Sequence, residues 1–123
     1  MKQQIARIRE FEEAFKITPS LQSPETKHKI LLEELNEYLD SAWKEDEVEI
    51  ADAIGDILYV AFGLVTKHGL DDVIEDIFAE IHASNMSKLN DDGTPIYNEY
   101  GKIMKGPNYF KPDISKHLRK IRQ

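Results

Sequence analysis

The chain has 123 residues and a formal net charge of −7, with 16 Lys and Arg against 23 Asp and Glu. That length suits one domain, and the longest uncharged run, Ile57–Thr66, is too short for a membrane span of ~20 residues. The N-terminal MKQQIARIREFEE lacks the apolar run of a signal peptide, and the absence of cysteine excludes a disulfide framework and a thiolate metal site, so a soluble, cytoplasmic protein is expected.

Residues 3–17 place Ile5, Ile8, Phe11 and Phe15 three and four apart, one apolar stripe on a helix that Thr18-Pro19-Ser20 breaks. Ser23-Pro24-Glu25 reads as an N-cap, a proline at the first helical position and an acid in the first turn. This second helix is expected to run to about Lys44 and to bury Leu31, Leu32, Leu35, Tyr38, Leu39 and Trp43. Lys44–Glu47 is the expected turn. A third helix over about Val48–Lys67 turns Ile50, Ala51, Ile54, Ile57, Leu58, Ala61, Leu64 and Val65 inward, and its Gly55 and Gly63 are expected to permit close helix packing. His68-Gly69-Leu70 reads as a C-cap. Asp71-Asp72 opens a fourth helix that buries Val73, Ile74, Ile77, Phe78 and Ile81 and ends near Leu89. Turn clusters at Asn90–Gly93 and Asn98–Gly101 then frame a small hairpin of Thr94–Tyr97 with Lys102–Lys105, and a short basic helix follows Asp113. The expected fold is all-α. An antiparallel four-helix bundle covers about 3–89, and a loop- and hairpin-rich tail covers 90–123 of the same domain.

The charge is unevenly placed. Residues 1–89 carry 9 basic and 19 acidic side chains, and residues 90–123 carry 7 and 4. The acids gather in Glu33-Glu34-Leu35-Asn36-Glu37 on the second helix and in Glu49, Asp52 and Asp56 on the third. Glu34 and Glu37 are three apart, as are Glu49 and Asp52, so each pair shares a helical face. Antiparallel pairing turns the two faces toward one another, and such close like charges need water, protons or cations between them. Asp52 and Asp56 lie among Ala51, Ile54, Ile57 and Leu58, so at least one is expected to be partly buried. No Lys or Arg between Glu45 and Thr66 neutralises it. Oxygen-only ligands suit Mg²⁺ or Mn²⁺, and two such ions can clamp a phosphoryl group and activate a water. The alternative is a solvated acidic face on a non-catalytic helical module that binds a basic partner.

Other site chemistries fit less well. A di-iron bundle needs two E-x-x-H motifs, and only Glu25–His28 matches. Asn90-Asp91-Asp92-Gly93 lacks the EF-hand spacing. There is no H-E-x-x-H, P-loop or Rossmann turn.

At these residues the chain resembles the all-α nucleoside triphosphate pyrophosphohydrolases. Glu34-x-x-Glu37 … Glu49-x-x-Asp52 looks like their E-x-x-E … E-x-x-D signature. EIADAIGDILYVAFG (Glu49–Gly63), EIHASNMSKL (Glu80–Leu89) and DGTPIYNEYGKIMKGPNY (Asp92–Tyr109) resemble the MazG-like, phosphoribosyl-ATP pyrophosphohydrolase-like branch. The likeness runs from about Lys27 to Asp113, and the first helix adds little to it. Eleven residues separate Glu37 from Glu49, so the turn must be tight and any specificity insert carried there by relatives is missing. Ala53 occupies the position three before Asp56 where MazG has glutamate, which makes Asp56 an accessory acid.

The resemblance implies Mg²⁺-dependent cleavage (Mn²⁺ substituting) between the α- and β-phosphates of a nucleotide. It implies Glu34, Glu37, Glu49 and Asp52 as metal ligands, and Glu33 or Glu34 as the group that orients or deprotonates the attacking water. Asn85 and Lys88, three apart on the fourth helix, and Lys105 and Tyr109, flanking Gly106-Pro107 on a loop that closes over the nucleotide, are the implied substrate contacts. The basic tail is expected to complete the anion site. The expected partners are a nucleotide and further copies of the chain in a homodimer or homotetramer, with no membrane. Nucleic-acid duplex is not expected, since the body repels phosphate.

Overall fold

The computed structural model describes residues 1–122, which form an all-α protein. Its helices are α1 (Lys2–Ala14), α2 (Pro24–Trp43), α3 (Glu47–Lys67), α4 (Ile74–Met86) and α5 (Ser115–Ile121). No helix among these residues is long and apolar enough to cross a membrane. The chain divides into two compact units at Asp71/Asp72.

In the first unit, α3 packs against both α2 and α1. Ser23 caps α2 as its sequence predicts, its Oγ accepting from the Thr26 N–H at 3.1 Å, with Pro24 at the first helical position. The helix ends share one device. At α1, α2 and α3 the chain leaves through a left-handed residue, Lys16 (φ 57°), Glu45 (φ 54°) and Gly69 (φ 66°) respectively. At α2, Glu45 N–H donates to Ala42 O at 3.1 Å and Asp46 N–H to Ser41 O at 3.2 Å, the paired bonds of a Schellman cap. Asp46 then caps α3, its Oδ1 accepting from Glu49 N–H at 3.1 Å. Only three residues therefore separate α2 from α3, which fixes the register of the antiparallel pair.

The interior differs from the expected core. Ile5, Ile8 and Ala53 are buried, but Leu32, Leu35, Tyr38 and Leu39 remain 39–46% exposed and Trp43 76%. On α3, Ile54 and Leu58 are also exposed. The apolar surface of α2 is wider than the packing of α3 covers. A Cβ at Gly63 would meet Lys27 Nζ at 3.3 Å, whereas Gly55 has no neighbour within 4 Å, so only Gly63 accommodates a close approach.

Arg9 ties α1 to the end of the unit. Its Nε and Nη2 donate to Asp71 Oδ2 and Oδ1 at 2.8 and 2.7 Å, and Nη2 also reaches Thr66 O at 3.3 Å. These hydrogen bonds hold the Asp71 carboxyl below the usual carboxylate range. The pair's stabilisation is present above the ordinary Asp pKa and is lost as pH falls through the lowered one. Asp71→Asn should cost about 1 kcal/mol near neutral pH, discounted because Arg9 is half exposed. Urea unfolding of both proteins as a function of pH should show the difference closing in acid.

The second unit contains α4, α5 and the segment between them. Asp71–Val73 form a turn and α4 starts at Ile74, later than its sequence suggests, because Asp71 is engaged by Arg9 and caps nothing. Val73 and Ile77 are buried, but Phe78 is 60% exposed and Ile81 is exposed too. The expected hairpin shrinks to one antiparallel bridge, Tyr97 with Ile103. Asn98 Oδ1 turns the chain there by accepting from the N–H groups of Tyr100 and Lys102 at 2.8 and 2.9 Å. The α4 helix belongs with the tail rather than with the first three helices. Ser84 Oγ donates to Phe110 O at 2.8 Å, and Lys116 Nζ pairs with Glu80 at 2.6 Å.

Candidate metal centre

The short turn centred on Glu45 dictates which side chains of α2 and α3 meet. Residues equidistant from it face each other: Glu34 and Asp56 lie eleven before and eleven after, and Lys27 and Gly63 eighteen. The approach of the Lys27 ammonium to the space beside Gly63 is consistent with this register. Glu37, one turn along the face of Glu34, joins the first pair. One carboxylate oxygen from each of Glu34, Glu37 and Asp56 lies within 4.8 Å of the others.

Among the described residues no Lys, Arg or His forms an ion pair with these three acids, or with Glu49 or Asp52. Lys44, at the end of α2, is bound to Asp40 at 2.9 Å. Glu34 carries the electrostatic burden. Its Oε2 is buried and accepts no hydrogen bond. Burial first, then the charges of Glu37, Asp56 and Asp52, push its carboxyl above the usual carboxylate range.

On the other side of Glu37, a pocket of about 320 Å³ is lined by Glu37, Asp40, Glu49 and Asp52 together with Ser41, Ala53 and Lys44. Ser41 is buried with its Oγ donating to Glu37 O at 2.7 Å, so it presents no free hydroxyl. The acids singled out in the sequence thus fall into two adjoining groups with Glu37 common to both. Asp56, expected as an accessory acid, stands in the tighter group. Glu33, also on α2, is exposed and outside it. A divalent cation fits: the donors are all hard oxygens, and the orphaned Glu34 oxygen needs a positive partner.

The expected substrate residues lie in the second unit. Asn85 is exposed on α4, but the helix stops at Met86, so Lys88 sits in the following turn, its N–H donating to Asn85 O at 3.2 Å. Lys105 Nζ stands 4.7 Å above the Tyr109 ring, a cation–π pair spanning Gly106-Pro107. Gly106 is required there, since a Cβ would meet Lys88 O at 2.6 Å and the Leu89 carbonyl as well. Ser84 and Ser87, which sequence reasoning passed over, hold this loop: Phe110 O accepts from Ser84 Oγ at 2.8 Å and Phe110 N–H donates to Ser87 Oγ at 3.1 Å. Their two-sided grip has no signature beyond the spacing of three. The basic tail is less free than its composition suggests, since Lys116 and Lys120 pair with Glu80 and Asp76 at 2.6 and 3.7 Å.

An all-helical chain whose antiparallel helices converge acids from E-x-x-E and E-x-x-D segments falls in the all-α nucleoside triphosphate pyrophosphohydrolase superfamily. Within it, the chain belongs to the phosphoribosyl-ATP pyrophosphohydrolase family, whose model matches residues 3–85. The match takes in α1, which the sequence resemblance left aside, and every acid of the centre. Lys88, Lys105 and Tyr109 lie beyond it. A comparison with curated proteins gives no match. The family's chemistry is pyrophosphohydrolysis of a nucleotide.

Proposed function

We propose that the chain is a Mg²⁺-dependent nucleoside triphosphate pyrophosphohydrolase that cleaves between the α- and β-phosphates, serving nucleotide-pool housekeeping in the cytoplasm. The observation that carries this reading is the convergence of Glu34, Glu37 and Asp56, with which no Lys, Arg or His among the described residues forms an ion pair. Glu34, Glu37 and Asp56, with Glu49 and Asp52 beside them, are the residues that would hold the metal, and Mn²⁺ would serve as well. A bound divalent ion supplies a Lewis acid for phosphoryl oxygens and lowers the pKa of water. The chain's own contribution is to fix the carboxylates on two rigid helices and to accept a proton from the attacking water. Of the two candidates for that acceptance, Glu34 is favoured over Glu33 by its place, since it stands with Glu37 and Asp56 whereas Glu33 is exposed outside that group. Asn85, Lys88, Lys105 and Tyr109 are assigned to the substrate, lysine acting on phosphate as a point charge.

The working form is a homo-oligomer. Leu32, Leu35, Leu39 and Trp43 make a stripe down α2 at spacings of three and four, all well exposed in the single chain. A second copy covers such a stripe by isologous packing.

Purified protein with Mg²⁺ or Mn²⁺, offered canonical and modified triphosphates, diphosphates and phosphoribosyl-ATP, should release monophosphate and pyrophosphate in equal amounts from at least one triphosphate. Release from none of them overturns the proposal, and release from phosphoribosyl-ATP alone narrows the activity to the family's named substrate.

A further inference from the structure

A second cavity lies two helical turns from the acids, on the same faces of α2 and α3. Lys27 is seven residues before Glu34 and Gly63 seven after Asp56, a displacement of ~10 Å along each helix. Both Lys27 and Gly63 line this cavity, whose volume is about 250 Å³. That is below the usual range for a whole drug-sized ligand and suits one ring system. Its walls are apolar, with Ile30 and Val60 on α2 and α3 and the edge-to-face rings of Phe11 and Tyr59, 5.7 Å apart. The loop that bounds it is pinned, because Lys67 Nζ donates to Pro19 O and Gln22 O at 2.5 and 2.6 Å.

Two charged groups in this cavity make no hydrogen bond with any described residue. Glu12 Oε1 is buried and accepts no hydrogen bond. Its ion pair with Arg9 Nη1 is long, at 3.7 Å, and the other donors of that guanidinium are engaged by Asp71 and Thr66. Lys27, against Gly63, forms no hydrogen bond or ion pair with any described residue, Glu12 included. A buried carboxylate without a donor is costly unless a ligand brings one.

We propose that this cavity is the base pocket of the nucleotide site and that it selects a guanine-type base. The inference rests on the function proposed above. Guanine presents a ring N–H and an exocyclic amine side by side, the donor pair that a carboxylate accepts, next to a carbonyl that an ammonium can meet. Adenine and cytosine lack the ring N–H on that edge, uracil lacks the amine, and hypoxanthine keeps the N–H and carbonyl but loses the amine. Glu12 is thus assigned as a specificity-determining residue, and Phe11 and Tyr59 as the ring's aromatic walls.

The test compares guanosine and inosine triphosphates in kcat/KM, for the native chain, Glu12→Gln and the neighbouring exposed Glu13→Gln. The native chain should prefer guanosine by about tenfold or more, the scale of one hydrogen bond to a charged group. Glu12→Gln should erase most of that preference through KM, and Glu13→Gln should keep it. A native chain with no guanosine preference, or a preference untouched by Glu12→Gln, overturns the assignment. Calorimetric binding of guanosine and inosine monophosphates without metal separates the two proposals. If no triphosphate is hydrolysed, a guanosine preference that Glu12→Gln abolishes still supports the pocket while the catalytic reading fails, and its absence removes both.

Discussion

Glu37→Gln should lower pyrophosphate release by about a thousandfold, a loss of ~4 kcal/mol in transition-state stabilisation. Glu37 is the one acid shared by the tight group with Glu34 and Asp56 and the pocket with Glu49 and Asp52. Removing its charge weakens cation binding in both. The substitution keeps the side chain's shape and removes the second-largest cause of Glu34's raised proton affinity. The metal-free variant should therefore melt no lower than the native chain, because like-charge repulsion is relieved. Initial rates at saturating Mg²⁺, with a melting curve for each protein, check both halves. Activity within tenfold of native would show that Glu37 does not serve the metal.

Leu39→Lys should convert the oligomer to monomer. Leu39 is 44% exposed in the middle of the α2 stripe, and in an isologous interface each substitution acts twice. Fully burying a leucine is worth roughly 1.5–3 kcal/mol, and Leu39 has a little under half of its surface left to cover, so the pair accounts for about 1–3 kcal/mol before the larger cost of desolvating two ammonium groups is added. A standard interface buries roughly 1,200–2,000 Å², and a loss of that size at its centre is decisive. Light scattering across protein concentrations should show the native chain as a multiple of 14.2 kDa and the variant near that mass. Its melting temperature should fall and lose its dependence on concentration. A monomeric native chain would contradict this part of the account.

Local signals were the legible part of this fold. Ser23-Pro24 and His68-Gly69 mark helix ends through the chemistry of single residues, and both stand where they were read. The ends of α1 and α2 carry no glycine, yet Lys16 and Glu45 adopt the left-handed conformation because the following cap bonds favour it. The core was much less legible. Periodicity identifies an apolar stripe on a helix but not the surface that covers it, so Leu35, Leu39 and Trp43 read as interior and stand exposed in the single chain.

The same distinction runs through the site. Spacing within a helix grouped Glu34 with Glu37 correctly. It could not decide whether Asp52 or Asp56 faces them, because that depends on the register between two helices. The signal was present in the short turn. Folding the sequence back on Glu45 sets Asp56 opposite Glu34 and Lys27 opposite Gly63. Motif matching alone leaves Asp56 an accessory acid, since Ala53 stands one turn before it where MazG has glutamate. Glu12 escaped notice for another reason. It reads as one charge on the polar face of α1, and only the tertiary packing buries its Oε1.

Thermal melting with and without Mn²⁺ tests most directly whether the acidic seam between α2 and α3 holds a divalent metal. At a hundredfold excess over the dissociation constant, a metal that binds only the folded chain adds ~2.7 kcal/mol of stability, roughly 10 °C for a protein of this size. The native chain should show that rise over the chelator-treated sample, and Glu37→Gln should lose it. Identical melting of the native chain with millimolar Mn²⁺ and with chelator would contradict the account.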